Sequence, residues 1–380
     1  MRILFISGGS RGAVFPLVPL ATAARNAGHE VFVGVTENTL PAVASAGLPG
    51  VALATGTMPQ YMYQDREGNP AVEPDDPEEW NLFNGHGMGR LAAASLEGLV
   101  PLIERWRPDV IVGGSLSYAA PIIAAHFGIP FVRHSLNMGE PANIDLGAAA
   151  ELAPELEKFG LSDIPGEDLF IDICPPSVRP ADAIPSQSMR YVPYNTHKKL
   201  DPWMYTRPQV PRVVISAGSR VTPDYELPAL RDLVEKVQPL GLEMIIAVPD
   251  EVANLLGPLP DGVRAGWLPV DVLMRSSDLL VHRGGGNTML SAMTAGIPQL
   301  VIPAMPKQVG MTENLVEYGA AKMLIDGEDT AEAIAEACQE LLKEPSYLKR
   351  SRDIAQEIAE LPSPAEVVDV VAALAKGNAA

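Results

Sequence analysis

Cysteine is almost absent from this chain. The two that occur, Cys174 and Cys338, sit in no C-x-x-C and no Cys/His cluster. That excludes a disulfide scaffold and a structural zinc site and fits a reducing cytoplasm. Positive charge is also short. Lys and Arg number 28 against 47 Asp and Glu, for a formal net charge of −19. So acidic a surface repels phosphate backbones and anionic lipid, which argues against nucleic-acid and membrane partners. No stretch approaches the length of uninterrupted apolar residues that a bilayer requires, and the apolar opening MRILFISGG is broken by Gly too soon for a signal peptide. What remains is a 380-residue chain, 47% apolar, rich enough to build ordinary cores and long enough for more than one domain.

One phrase occurs twice. Residues 2–11 read RILFISGGSR and residues 212–220 read RVVISAGSR. Each is a short apolar run followed by a Gly-containing turn, Ser and Arg. In the first copy a helix ending at Gly28 and a strand over 29–35 follow, which is a βαβ unit with continuously apolar strands. The pattern returns as strand 109–113, a helix around 118–127 and strand 130–134. It restarts with strand 212–217, a helix around 225–239, strands 242–248, 263–266 and 278–282, a helix around 287–295, strand 298–302, and helices 312–318 and 330–343. The expected fold class is α/β, with two facing Rossmann-like domains whose Ser-Arg turns meet at an interdomain cleft. The proline-rich 174–211 holds the boundary. The expected division is 1–195, a linker 196–211, a second domain 212–360, and a C-terminal helix 361–380 returning to the first domain. Residues 54–90 mix aromatics, Met, Pro and acids without clean periodicity and read as a long functional loop.

Two turns are candidates for chemistry. SGGSRGA (residues 7–13) lacks the G-x-G-x-x-G spacing, yet Glu37 follows the second strand, so an NAD-dependent oxidoreductase stays open on these residues. DLLVHRGGGNTMLSAMTAGIPQLVIP (278–303) is more specific. A buried strand ends in His282, glycines follow, then Asn287 and Thr288 open a helix. Glycines admit a phosphate close to the backbone, and a helix start offers unpaired N–H groups with partial positive charge. His282 and Thr288 would donate to the same phosphates. A plain glycine-rich turn with a capping Thr fits the same residues. Upstream, Trp267-Leu268-Pro269 supplies an indole that would stack a nucleobase, or an ordinary core residue.

Together these motifs, with a Gln and VEYGAA beyond them, resemble the nucleotide-binding signature of the family 1 GT-B glycosyltransferases. Within that family the chain is similar to the bacterial enzymes that decorate aromatic polyketide antibiotics, the angucycline (urdamycin and landomycin) type in particular. PLATAARNAGH, RPDVIVGG, LFIDICPPSVRPA, PWMYTR and SAGSRV carry that likeness over nearly the whole chain. The resemblance implies a dTDP-sugar donor and no other cofactor. Trp267 and Leu268 would flank thymine. His282 would bind the inner phosphate, and Gly285, Gly286, Asn287 and Thr288 the outer one. Ser10, Ser219 and Arg220 would reach the diphosphate and sugar, and Gln308 the sugar hydroxyls. Met58, Tyr61, Met62 and Trp80 in the 54–90 stretch, with Tyr63, would shape a flat apolar acceptor pocket.

Three departures matter. Relatives carry a catalytic His where this chain has Ala13. Their Asp-Gln pair is Lys307-Gln308 here, which suits a deoxysugar. An Asp of the angucycline enzymes is Asn137 here, with Glu140 the nearest carboxylate and His134 and Asp145 nearby; Glu140 and Asn137 are the expected catalytic residues. No Asp-x-Asp occurs, so the usual metal–diphosphate clamp is missing and no metal is expected. The expectation is therefore a cytoplasmic, inverting, metal-independent transfer of a deoxyhexose to an aromatic polyketide, with C-glycosylation favoured by the resemblance. O-glycosylation of a phenol, and a non-catalytic auxiliary protein of the same fold, are the alternatives.

Overall fold

The computed structural model describes residues 1–74, 76–139, 142–218, 227–325 and 327–377. The chain forms two compact units. One comprises residues 1–174 and 182–190 and the chain from Leu361 on; the other comprises Pro175–Ala181 and Tyr191–Glu360.

The first unit is built on a seven-stranded parallel sheet: β1 (Arg2–Ile6), β2 (Glu30–Thr36), β3 (Gly50–Ala54), β4 (Val110–Gly114), β5 (Phe131–His134), β6 (Leu169–Asp172) and β7 (Gln187–Ser188), in the order β3-β2-β1-β4-β5-β6-β7. Ile3, Leu4, Phe5 and Ile6 are all essentially inaccessible, as expected for a strand covered on both faces. The second unit carries a six-stranded sheet: β8 (Arg212–Ser216), β9 (Glu243–Ala247), β10 (Val263–Gly266), β11 (Leu279–His282), β12 (Gln299–Val301) and β13 (Ala321–Met323), in the order β10-β9-β8-β11-β12-β13. Counted within each unit, both sheets run 3-2-1-4-5-6, with a seventh strand added at the end of the first, the doubly wound order in which the path reverses beside the first strand. The apolar run of the repeated phrase is therefore, in each sheet, the strand beside the topological switch point. The α/β fold of two Rossmann-like units holds.

The helix Pro364–Gly377 packs on Val18–Asn26 within the first unit and buries Val367, Val368 and Val371.

Residues 54–90 depart from the expected loop. Met58–Tyr63 is a helical turn and a 29-residue helix runs Pro77–Arg105. Its start is well signalled: Asp76 accepts from the N–H groups of Glu78 and Glu79 at 2.9 and 3.0 Å, and Pro77 and two acids follow. What hid it is Gly85, Gly87 and Gly89, each unfavourable in a helix interior. They are needed for close approach. A Cβ on Gly85 would strike the carbonyl oxygen of Ile144 in the helix Ala142–Glu151, and one on Gly89 would meet the Glu151 side chain. In return Gly147 leaves room for the Leu82 carbonyl. The expected helix 312–318 also begins earlier, at Pro306, which brings Gln308 into its first turn.

Candidate functional site

In the second unit, β11 ends at His282, whose side chain is essentially inaccessible. Its Nδ1 accepts the N–H of Gly284 at 3.2 Å, so the ring proton resides on Nε2 and is donated to Gln299 Oε1 at 3.1 Å. Gln299 passes the chain on through its Nε2 to Met289 O at 3.2 Å. Burial holds the His282 pKa down at about 4, opposed in part by Gln299, so the ring is neutral at pH 7. The expectation of a direct phosphate donor is met here by a ring whose nitrogens already have partners within the protein. Both nitrogens are used inside the protein, and what His282 does is shape the turn. Gly284 has φ +77°, and the Gln308 side chain lies where its Cβ would be. Gln308 in turn spends its Oε1 on the N–H groups of Ala304 and Met305, at 2.7 and 2.9 Å.

The helix Gly286–Ala295 then starts from Gly285, an N-cap without a side chain to offer, and its first turn ends with Met289 N–H on Gly285 O at 2.9 Å. The Thr288 hydroxyl bends back over Gly285. His282, Gly284, Gly285, Gly286, Asn287, Thr288 and Gln308 are thus brought together around one helix start, where the uncapped N–H groups and the helix dipole favour an anion.

At the same carboxyl edge, beyond β10, Trp267 is fixed by its backbone N–H to Asp250 Oδ1 at 2.8 Å and by its ring Nε1–H to Thr196 O at 3.4 Å. Lys198 pairs with the other oxygen of Asp250, and this pairing, with the Trp267 N–H, lowers the carboxyl pKa. Leu268 packs on the cluster of Val214, Leu273 and Leu280 beneath. β10 stands three strand positions from β11, about 14 Å at the usual inter-strand spacing. Indole and helix start are therefore separated by roughly the length of a nucleoside diphosphate laid along the edge.

In the first unit, Ser10 caps the short helix Arg11–Val14, its Oγ accepting from Ala13 N–H at 3.3 Å. Met58 packs on the turn before it; a Cβ on Gly9 would lie 3.0 Å from Met58 Cγ. Tyr61 is half-buried beside Met58, with its hydroxyl accepting the Gly56 N–H at 3.2 Å, and burial raises its pKa. Met62 fills the notch at Gly87. Arg90 bonds the carbonyls of Tyr61 and Met62 at 2.7 and 3.3 Å. Met58, Tyr61 and Met62 are therefore one set beside the first Gly turn, whereas Trp80 is tied to Glu73 at 2.6 Å, which Tyr63 also bonds. Asn137 lies just past β5, its Oδ1 buried without a hydrogen-bond partner.

The family descriptions of the erythromycin biosynthesis protein CIII-like N-terminal and C-terminal domains match residues 22–218 and 231–374. The chain belongs to the EryCIII-like glycosyltransferases. It is 34% identical to the L-demethylnoviosyl transferase of Streptomyces niveus over 98% of both chains. It is also 34% identical to the elloramycin glycosyltransferase ElmGT of Streptomyces olivaceus, over 97% of this chain and 96% of that one. The solved glycosyltransferase SsfS6 of Streptomyces sp. SF2575, complexed with thymidine diphosphate, is 36% identical over 98% of this chain and 99% of its own, with a TM-score of 0.87. The resemblance read from the motifs, the GT-B fold and the assignment as an enzyme all hold.

In this EryCIII-like glycosyltransferase three expected site residues, Glu140, Ser219 and Arg220, lie outside the described residues. Several contributors escaped the sequence reading. Gln299 had a signal, a polar residue in an otherwise apolar strand. Asp250 and Tyr191 had none, because only the tertiary fold sets them beside Trp267 and Asn287. Tyr118, buried in the first unit, donates to Asp145 Oδ1 at 2.5 Å. His134 is fully buried; its Nδ1–H donates to Ser135 O at 2.7 Å, and burial depresses its pKa to about 4.

Proposed function

We propose that this glycosyltransferase moves a deoxyhexose from a TDP-sugar to an aromatic polyketide, with inversion at the anomeric carbon and without a metal ion. The observation that carries the donor half is the uncapped helix start after β11, shaped by His282 and Gln308, on the same edge as Trp267. A relative of the same family has been solved with thymidine diphosphate. The diphosphate would lie on the N–H groups of Gly286–Thr288, with thymine against Trp267 and Leu268. Gln308, over Gly284, would face the sugar. On the acceptor side, Met58, Tyr61 and Met62 suit a flat apolar ring system, and the elloramycin glycosyltransferase is a relative.

The chemistry balances without a strong base. The acceptor carbon ortho to a phenolate, or the phenolate oxygen, attacks the anomeric carbon; in the carbon case the attacked ring carbon then loses its proton to solvent, which restores the aromatic phenol. The bond to TDP breaks on the opposite face and the leaving oxygens take the negative charge. A general base is worth ~10²–10⁴ in rate. Each hydrogen bond to a charged leaving group contributes about 1.5–3 kcal/mol, and a helix start supplies several. A phenol, partly ionised already, needs less help than an alcohol, which accords with Ala13 and Asn137 standing where relatives carry His and Asp.

We favour the C-linked product. The test is incubation with a TDP-deoxyhexose and a polycyclic phenol, with and without EDTA, and NMR of the product's anomeric carbon. TDP release with a carbon-bonded anomeric centre is expected, unaffected by EDTA. An oxygen-bonded centre overturns the linkage, an EDTA-sensitive rate overturns metal independence, and failure to release TDP overturns the donor.

A further inference from the structure

The second unit resumes at Tyr191, and the stretch that follows touches both ends of the donor site. Thr196 O holds the Trp267 indole and Lys198 pairs with Asp250. At the other end Tyr191 is buried. Its hydroxyl donates to Asn287 O at 3.2 Å and lies 3.3 Å from Ser291 Oγ, which itself donates to Asn287 O at 2.7 Å. Burial pushes the Tyr191 pKa up to about 12, so the hydroxyl keeps its proton.

Asn287 O and the N–H of Thr288 belong to one planar, conjugated peptide unit. Donors placed on the oxygen draw electron density from the nitrogen and make its N–H the stronger donor. Thr288 is the third residue of the helix, just before the ladder bond from Met289 N–H to Gly285 O. Its N–H thus belongs to the helix start, on the side where the diphosphate is read to lie.

We propose that Tyr191 is a positioning residue for the donor diphosphate, acting through the Asn287–Thr288 peptide. Ser291 is its partner in the same role. A buried hydroxyl that merely satisfied itself would serve packing alone, and the two readings differ in which ligand feels its loss. This inference rests on the helix start holding the diphosphate.

The test is calorimetric titration of TDP and of thymidine into the wild type, Tyr191→Phe, Ser291→Ala and the double variant. Tyr191→Phe keeps the ring and its packing. It is expected to weaken TDP about 1.5- to fourfold, because it weakens one charge-assisted hydrogen bond without removing it, and to leave thymidine unchanged. Ser291→Ala should act in the same direction, with the double variant weaker than either single but by less than their product. In turnover, the KM for the TDP-sugar should rise and that for the acceptor stay. Equal loss of TDP and thymidine, or no loss of TDP, overturns the proposal. A wild type that binds TDP no more tightly than thymidine overturns the diphosphate reading itself.

Discussion

A histidine that closes a buried strand must satisfy two ring nitrogens without water. His282 does so with a backbone N–H on one side and a glutamine on the other. Replacing it with Phe would strand the Gly284 N–H and Gln299 Oε1 in the core. At about 1–3 kcal/mol for each buried group left unpaired, urea unfolding of His282→Phe should show a loss of roughly 2–5 kcal/mol, and TDP affinity should fall with it. Gly284→Ala tests the same turn from the backbone side. It combines a φ of +77° with a Cβ placed 2.8 Å from that of Gln308, so about 1–2 kcal/mol of strain is expected, together with weaker TDP binding in titration. The sequence named His282 as an expected site residue, and the glycines after it as a turn, without singling out Gly284. The partners of His282 were not legible, because a donor in a motif looks free until the residues that occupy it, here Gln299 from the next strand, are in view.

Helices and strands differ in how much they reveal. Buried parallel strands are continuous apolar runs, and β1, β4, β8 and β11 were legible within a residue or two for that reason. The helix Pro77–Arg105 was not, because Gly85, Gly87 and Gly89 contradict helix propensity. The reason for Gly85 and Gly89 is a second helix, Ala142–Glu151, which lies distant in sequence and whose carbonyls come within reach of the first, and the reason for Gly87 is the Met62 side chain. A side chain there has nowhere to go. Gly85→Val should cost about 3 kcal/mol or more through overpacking, read as a drop in the thermal midpoint. An exposed glycine such as Gly166, with nothing within 4 Å of its would-be Cβ, should tolerate Ala with little change.

Across the whole molecule, two fully buried imidazoles contribute to the response to acid between pH 7 and 5. His134 in the first unit and His282 in the second both have pKa values of about 4 when folded, below the ordinary 6.5. The unfolded chain therefore takes up protons first as pH falls. Their contribution is complete above pH 6.5 and is lost progressively down through pH 4. By linkage each costs about 2 kcal/mol at pH 5 relative to pH 7, so urea midpoints measured at the two values should fall markedly. His134→Asn, which keeps a donor toward Ser135 O, should flatten part of that slope.

By itself the sequence determined the first strand of each unit, the α/β class with two Rossmann-like units and the candidate helix start after His282. These depend on local pattern: strand hydrophobicity, glycine turns and a helix start adjacent in the chain. Only the tertiary structure decided which groups around that site are engaged. It occupied both nitrogens of His282, set Tyr191 against Asn287 and Asp250 against Trp267, and required glycines where two helices touch. Hydrogen bonds and close contacts join residues without regard to their separation along the chain, so no short stretch of sequence carries their record.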